Sequence, residues 1–363
     1  MDEHTQYMKR AFELAKQGWG RTNPNPLVGA IIVKNGKIIA EGFHEKIGGA
    51  HAEVNAIRNA KCDVSGGTIY VSLEPCSHFG RTPPCTQAII NAGLKEVVIA
   101  MEDPNPKCNG NGIAILRNAG ITVVENVLED KAKKINEIFI KYITQKKPFV
   151  IMKSAITLDG KIATSTGNSK WVTGESARNH VHLIRDRVSA IMVGINTVLA
   201  DDPMLTTRRD GENGEDAVKI IVDSTGKLPL SSRLLTTGKT ILATTSKIDQ
   251  NKEKQLLEKG VIILKCDSEN GSVNLNTLMD KVYELEIDSV LIEGGGTLNW
   301  SALKSGIVDK VMCYIAPKII GGKNALTPVE GSGIQVMNDA INLTDIEVQM
   351  FGNDILIEGY IAK

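Results

Sequence analysis

Several things are missing from this sequence, and each absence narrows what the chain can do. There is no surplus of charge of either sign: 42 Lys and Arg face 42 Asp and Glu in 363 residues. No basic field therefore draws it to nucleic acid or to an anionic membrane surface. No apolar run is long enough to span a bilayer. The start, "MDEHTQYMKR", is charged and lacks the apolar stretch of a signal peptide, so a cytoplasmic chain is expected. There is no short internal repeat and no low-complexity tract. The pattern G-x-G-x-x-G is not matched either, which removes support for a Rossmann fold.

What is present is an ordinary hydrophobic share of 42%, in a chain long enough to divide into two domains. "QYMKRAFELAKQG" spaces Met8, Phe12 and Ala15 at helical intervals and stops at Gly18. Two short apolar strands follow around Asn35-Gly36, a hairpin turn signal. "HAEVNAIRNA" reads as helix, "GTIYVSL" as strand and "PPCTQAIINAG" as helix. "EVVIAM", "GIAILRNAG" and "ITVVE" continue the alternation, and "VLEDKAKKINEIFIKYITQ" reads as one longer amphipathic helix. A helix, a hairpin and alternating α and β predict a three-layer α/β sandwich. The basic, Pro-containing "TQKKPFVIMKSAITLDGKIA" interrupts this pattern and places a domain boundary near Lys147. Beyond it, strands are expected at "SAIMVG", "VKIIVD", "TILAT", "GVIILK", "SVLIEGG" and "DKVMCYIAP", with a polar surface loop over Arg208–Asp216.

Six cysteines without a secretory signal are not read as a disulfide framework. Cys266 and Cys313 sit among apolar residues and read as small buried thiols. Cys76 and Cys85 are different, because "EPCSHFGRTPPC" is a loop rich in Pro and Gly. With His51 they supply one imidazole and two thiolates, leaving a fourth position for water, the arrangement of a catalytic zinc. Zinc brings the pKa of such a water toward neutrality. Glu53, two residues beyond His51, could take its proton and pass it to a leaving amine. The H-x-E…P-C order is the signature of zinc nucleobase deaminases, except that eight residues rather than two separate the cysteines. A closed structural zinc with His78 or Cys108 as fourth ligand is the competing reading. His44 alone reads as a surface histidine, and Asn25 in "NPNPLVGA" as a turn former or as an amide facing a pyrimidine edge.

The second half carries three polar clusters beside apolar strands, which fits a site at the strand ends of an open sheet. "SVLIEGGGTLNW" puts Glu293 and three glycines between a strand and a helix, where backbone N–H groups can meet a phosphate. "VGINTVLADDPMLTTR" combines Gly194, Thr197, Asp201 and Arg208 in one loop after a strand. "KSAITLDGKIATSTGNSKWVTG" supplies Lys153, Ser169 and Trp171.

Together these motifs resemble the RibD family of bifunctional riboflavin-biosynthesis enzymes. "NPNPLVGA", "HAEVNAI", "LEPCSHFGRTPPC" and "EDPNP" resemble its deaminase half; "TLDGKIA", "VGINTVLADDPMLTTR", "IEGGGTLNW" and "APKIIGG" look like its reductase half. The resemblance runs in order over almost the whole chain. It implies a zinc-dependent pyrimidine deaminase domain over 1–146, of cytidine-deaminase-like fold. It also implies an NADPH-dependent reductase domain over 147–363, of dihydrofolate-reductase-like fold. The substrates implied are small pyrimidine nucleotides: a diaminopyrimidine ribosylamino phosphate is deaminated, and the ribosyl group of the product is reduced to ribityl. By resemblance His51, Cys76 and Cys85 hold one Zn2+ and Glu53 shuttles protons, while Asn25, His44 and Arg81 contact the deaminase substrate. Lys153, Asp201 and Glu293 would stand nearest the hydride transfer. Ser169, Arg185, Leu205, Arg208 and Glu293 would hold the reductase substrate. Ala155, Trp171, Thr197, Asp201, Ser224, Gly295, Gly296 and Thr297 would hold NADPH. A homo-oligomer is expected, without nucleic-acid or membrane partners.

Two other classes compete. A deaminase acting on a base in tRNA predicts a basic face and leaves the second half without a role. A structural zinc module joined to a nucleotide sensor has no need of Glu53 beside the metal.

Overall fold

The computed structural model describes residues 2–78, 83–106, 108–208 and 214–362. The chain forms two compact units, Met1–Lys146 and Lys147–Lys363. Among the described residues no helix is long and apolar enough to cross a membrane.

The first unit opens with helix α1 (Glu3–Ala15), which buries Met8, Ala11, Phe12, Leu14 and Ala15. Strands β1 (Gly29–Lys34) and β2 (Lys37–Phe43) follow, joined by the predicted turn, in which Asn35 and Gly36 both take positive φ. Then come α2 (Ala52–Asn59), β3 (Thr68–Val71), α3 (Cys85–Asn91), β4 (Glu96–Ile99), α4 (Asn111–Asn118) and β5 (Thr122–Val124). The sheet order is β2-β1-β3-β4-β5; β1 is antiparallel to both neighbours, and β3, β4 and β5 run parallel.

Two glycines identify the layers. A Cβ on Gly29 would lie 2.0 Å from the Ala11 carbonyl oxygen of α1. A Cβ on Gly42, which pairs with Ala30, would lie 2.3 Å from the Ala56 nitrogen of α2. Residues 29 and 30 point to opposite faces of a strand. Helices α1 and α2 therefore cover opposite faces of the sheet, and only a residue without a side chain allows either approach. This is the expected three-layer sandwich.

The long helix expected over residues 127–145 is in fact two, α5 (Glu129–Ile135) and α6 (Glu137–Gln145). The break is Asn136, at φ −103° and ψ 19°. Its buried amide accepts from the Leu27 N–H at 2.8 Å and donates to the Leu27 carbonyl at 3.1 Å. A partner 109 residues away thus overrides the local amphipathic pattern.

The second unit runs β6 (Phe149–Thr157), α7 (Glu175–Arg187), β7 (Ala190–Gly194), α8 (Ile195–Asp201), β8 (Val218–Val222), β9 (Thr240–Thr244), α9 (Gln250–Glu258) and β10 (Ile262–Lys265). A two-residue hairpin pair, β11 (Ser268–Glu269) and β12 (Ser272–Val273), precedes α10 (Leu275–Glu284), β13 (Ser289–Ile292), α11 (Gly296–Lys304) and β14 (Lys310–Ala316). Asp249 and Asn274 cap α9 and α10 by accepting from backbone N–H groups three residues on. The nine-stranded sheet has the order β10-β9-β8-β7-β13-β6-β14-β16-β15. It is parallel from β10 to β14 and closed by an antiparallel hairpin, β15 (Leu343–Phe351) and β16 (Asp354–Ile361). That hairpin and β11–β12 were not among the expected strands. Most of the polar loop expected over residues 208–216 lies outside the described residues.

Two candidate sites, one in each unit

In the first unit, His51 occupies the N-cap position of α2 and Cys85 is the first residue of α3, while Cys76 lies in the turn after β3. Two helix starts and one turn thus converge. His51 Nδ1 lies 3.2 Å from Cys85 Sγ and 3.4 Å from Cys76 Sγ, and the Cys85 N–H donates to Cys76 Sγ at 3.3 Å. The three ligand atoms lie within 4.8 Å of one another. Among the described residues no fourth His, Cys, Asp or Glu joins that set. His78 and Cys108 instead face each other, 3.4 Å apart. This is a soft, three-ligand donor set that fits zinc with a coordination position to spare. The electrostatics fit a cation as well. The hydrogen bond with Cys85, helped by His51, brings the Cys76 thiol down against its burial. The same bond, with burial and Glu53, drives Cys85 upward.

Glu53, in the first turn of α2, is 3% exposed. Burial pushes its carboxyl up to about 7, against the pull of His51. A carboxyl so placed can hold a proton or release one near neutral pH. His44 is buried rather than on the surface. Its Nδ1 donates to the Ala50 carbonyl at 3.0 Å, which leaves Nε2 to accept from the Asn25 amide at 3.2 Å. These groups share a cavity of about 270 Å³ with His78, Asp103 and Asn105. Asp103 and Asn105 were not singled out as site residues, since "EDPNP" was read only as a mark of resemblance; His78 was read only as a possible fourth ligand of a closed zinc. Arg81 lies outside the described residues.

In the second unit, a cavity of about 280 Å³ opens beside β6 and the end of β13. Its centre is an ion cluster. Arg185 of α7 donates from Nε and Nη2 to the two oxygens of Glu293, at 2.6 and 3.0 Å, and Lys153 of β6 stands 3.0 Å from the same carboxylate. The three side chains are only 16%, 14% and 8% exposed for Lys153, Arg185 and Glu293. Burial alone would push Glu293 up; Lys153 and Arg185 more than reverse it and hold the carboxyl well below the usual range.

Ala155, Ser169, Trp171 and Arg208 line the same cavity. The lining residues that the sequence reading missed include Arg178 and His182. Arg178 lies 4.7 Å from the Trp171 ring centroid and donates to the Thr173 carbonyl at 2.7 Å. His182 Nδ1 accepts the Arg208 N–H at 3.1 Å, and burial, then Arg185 and Arg208, bring its pKa down to about 4. Arg178, His182 and Arg185 recur at i, i+4 and i+7 along α7, and that polar stripe is the signal that could have found them.

The remaining candidates stand elsewhere. The stretch expected as one loop after β7 is instead helix α8 over Ile195–Asp201, and Asp201, exposed at its end, does not line the cavity. Leu205 is buried with a positive φ of 54°. Ser224 follows β8, and its hydroxyl accepts the Val273 N–H at 3.1 Å. Gly295 caps α11, and a Cβ there would meet only the Thr197 hydroxyl, at 3.8 Å; Gly296 and Thr297 follow it as the first residues of the helix. Such an open glycine at a helix start suits a phosphate. Asn299 gives a second sign of an absent ligand. Its amide donates to the Pro328 carbonyl at 2.8 Å, yet its buried Oδ1 has no partner among the described residues. Both features fit a dinucleotide such as NADPH.

Comparison with known proteins agrees with this two-part layout. Residues 1–101 match the cytidine and deoxycytidylate deaminase zinc-binding region, and residues 148–357 match the RibD C-terminal domain. The chain is 52% identical to riboflavin biosynthesis protein RibD of Actinobacillus pleuropneumoniae, over 97% of this chain and 94% of that one. With the Aquifex aeolicus RibD it shares 44% identity over 97% and 96%. Among solved structures, it is similar to a diaminohydroxyphosphoribosylaminopyrimidine deaminase/5-amino-6-(5-phosphoribosylamino)uracil reductase from Thermotoga maritima. That match has 40% identity and a TM-score of 0.88, and covers 99% of each chain.

Proposed function

Because this chain belongs to the RibD family, whose members deaminate and then reduce a pyrimidine nucleotide in riboflavin biosynthesis, we propose that the His51–Cys76–Cys85 pocket performs the deamination and the Lys153–Glu293 cavity the reduction. The observation that carries the first assignment is the placement of Glu53: a buried carboxyl in the first turn of the helix capped by His51, beside a three-ligand set.

Zinc held by His51 Nδ1 and the two sulfurs would supply an acidified water as the nucleophile. Glu53 takes a proton on a carboxylate oxygen and returns it to the nitrogen that leaves the ring, so one water is consumed and one ammonia released. His44 and Asn25, locked to each other, hold the pyrimidine, with His78, Asp103 and Asn105 beside them. Arg81 is proposed as a phosphate contact from the same loop.

In the second unit, bound NADPH would supply a hydride for the ribosyl carbon. Lys153, 3.0 Å from the Glu293 carboxylate, is assigned as the proton donor to the sugar oxygen. Arg185, Ser169, Leu205 and Arg208 are assigned to the substrate, with Arg208 on its phosphate. Ala155, Trp171, Thr197, Ser224 and the turn at Gly295, Gly296 and Thr297 are assigned to NADPH. Asp201 retains its proposed part in the reductase site, though it stands outside the cavity. A homo-oligomer is also proposed. The outermost strand, β15, exposes Ile346, Val348 and Met350 along an edge of the kind that pairs with a second chain.

The test is Glu53→Gln in the full chain. Ammonia release from the diaminopyrimidine phosphate should fall by about 10²–10⁴-fold, the span for a positioned general acid–base. Zinc content and NADPH-dependent reduction of pre-deaminated substrate should be unchanged. Near-normal ammonia release would overturn the role of Glu53, and loss of zinc would make it a ligand.

A further inference from the structure

We infer that Glu74 is a positioning residue for the deaminase reaction: it fixes the wall of the pocket that carries Asp103 and Asn105 in register with the metal ligand Cys76.

Glu74 is 3% exposed, and its carboxylate accepts four backbone N–H bonds. Oε2 takes those of Asp103 and Gly110, each at 3.0 Å; Oε1 takes those of Gly112 at 2.8 Å and Ile113 at 3.3 Å. A carboxylate has about four acceptor positions, so these donors use its full capacity. Gly110, Gly112 and Ile113 are the cap and first turn of α4, whose N–H groups have no partner inside the helix and favour a negative charge. Asp103 stands at the other end of the segment. One side chain therefore clamps both ends of the stretch between β4 and α4.

The clamped stretch faces the pocket. Asp103 and Asn105 line the cavity, and Asp103 Oδ1 accepts the Asn105 N–H at 2.9 Å. The clamp itself is two residues from Cys76. An independent feature marks the same contact: a Cβ on Gly112 would lie 2.2 Å from the Pro75 carbonyl oxygen, so α4 rests directly on the backbone that leads to the ligand. The segment Glu74–Cys76 thus sets the metal and the pocket wall in one frame. None of these bonds is used by the proton transfer assigned to Glu53.

The inference rests on the deaminase reading of this pocket, and the experiment separates the two. Glu74→Gln is made in the full-length, zinc-loaded chain. Glutamine offers one acceptor oxygen for four donors and turns an NH2 toward two of them. For ammonia release, kcat/KM should fall on the order of 10²-fold, as when a reacting group is displaced by about an ångström, and the loss should lie mainly in KM. Zinc content and reduction of pre-deaminated substrate should be unchanged. Hydrogen exchange should quicken at the amides of Asp103, Gly110, Gly112 and Ile113. Glu74→Asp keeps the charge but withdraws both oxygens by one methylene; it should raise KM as well, and it serves if the glutamine variant does not fold. An unchanged KM in the folded variants overturns the inference. So does a loss confined to kcat together with loss of zinc, because Glu74 would then act through Cys76 alone. If the wild-type chain releases no ammonia, the deaminase reading itself fails and takes the inference with it.

Discussion

Replacing Glu293 with glutamine should destabilise the second unit strongly while leaving the first intact. The carboxylate receives two bonds from Arg185 and one contact from Lys153, all three side chains being largely withdrawn from water. Glutamine keeps one acceptor oxygen and sets an NH2 against a cation. Two charge-assisted bonds are lost, and two cations remain without a counter-charge. Removing one partner of a buried ion pair costs about 3–5 kcal/mol, mostly through the charge left behind. For a unit of this size each kcal/mol moves the unfolding midpoint by roughly 2–4 °C.

The effect has a definite pH dependence. The folded carboxyl is held well below its ordinary value of 4.5, so the unfolded chain takes up a proton first as pH falls. The stability contributed by Glu293 is therefore complete above pH 4.5 and is lost as pH drops toward the folded value. Denaturant unfolding, followed at neutral pH and in acid, measures both quantities. The gap between wild type and Glu293→Gln should be large at neutral pH and should narrow below 4.5. Adding Lys153→Met to the variant should recover part of the loss, because it removes one of the orphaned charges. A neutral-pH difference under about 1 kcal/mol, the range of exposed pairs, would refute the reasoning and mark the cluster as solvated.

Two further outcomes follow from the layout. A chain of residues 1–146 should fold, bind zinc and release ammonia without NADPH, since every group assigned to deamination lies within it; a folded, zinc-loaded but inactive fragment would sink the two-module reading. Light scattering should give a mass above the 39.2 kDa of one chain, and Val348→Lys on β15 should reduce it; a monomeric wild-type protein would overturn the oligomer proposal.

Most elements of the first unit could be read from local pattern because their determinants are local. The spacing of Met8, Phe12 and Ala15 and the Asn35-Gly36 turn need no distant partner. Asn136 does, and nothing near it in sequence announces Leu27. The C-terminal hairpin was missed for a different reason. Strand β15 leaves Ile346, Val348 and Met350 exposed, whereas β16 buries Glu358 against Lys310, so polarity and burial run opposite to the usual alternation. The zinc ligands were legible because metal chemistry restricts residue type and spacing. Glu74, Asp103 and His182 were not, since their meaning comes from backbone groups and cations that folding brings beside them.

The clasp between Asn136 and Leu27 also has a consequence for the order in which a growing polypeptide becomes competent. All three metal ligands have been synthesised by Cys85, yet the segment from Pro24 to Val28, which frames the pocket, is pinned by a residue made much later. Phe139, Tyr142 and Ile143 of α6, arriving later still, complete the cavity. A nascent chain that stops between these points has made the His51, Cys76 and Cys85 side chains but not the wall that encloses them. The pocket of this half can therefore close only once α6 has been made, just before the first strand of the other half.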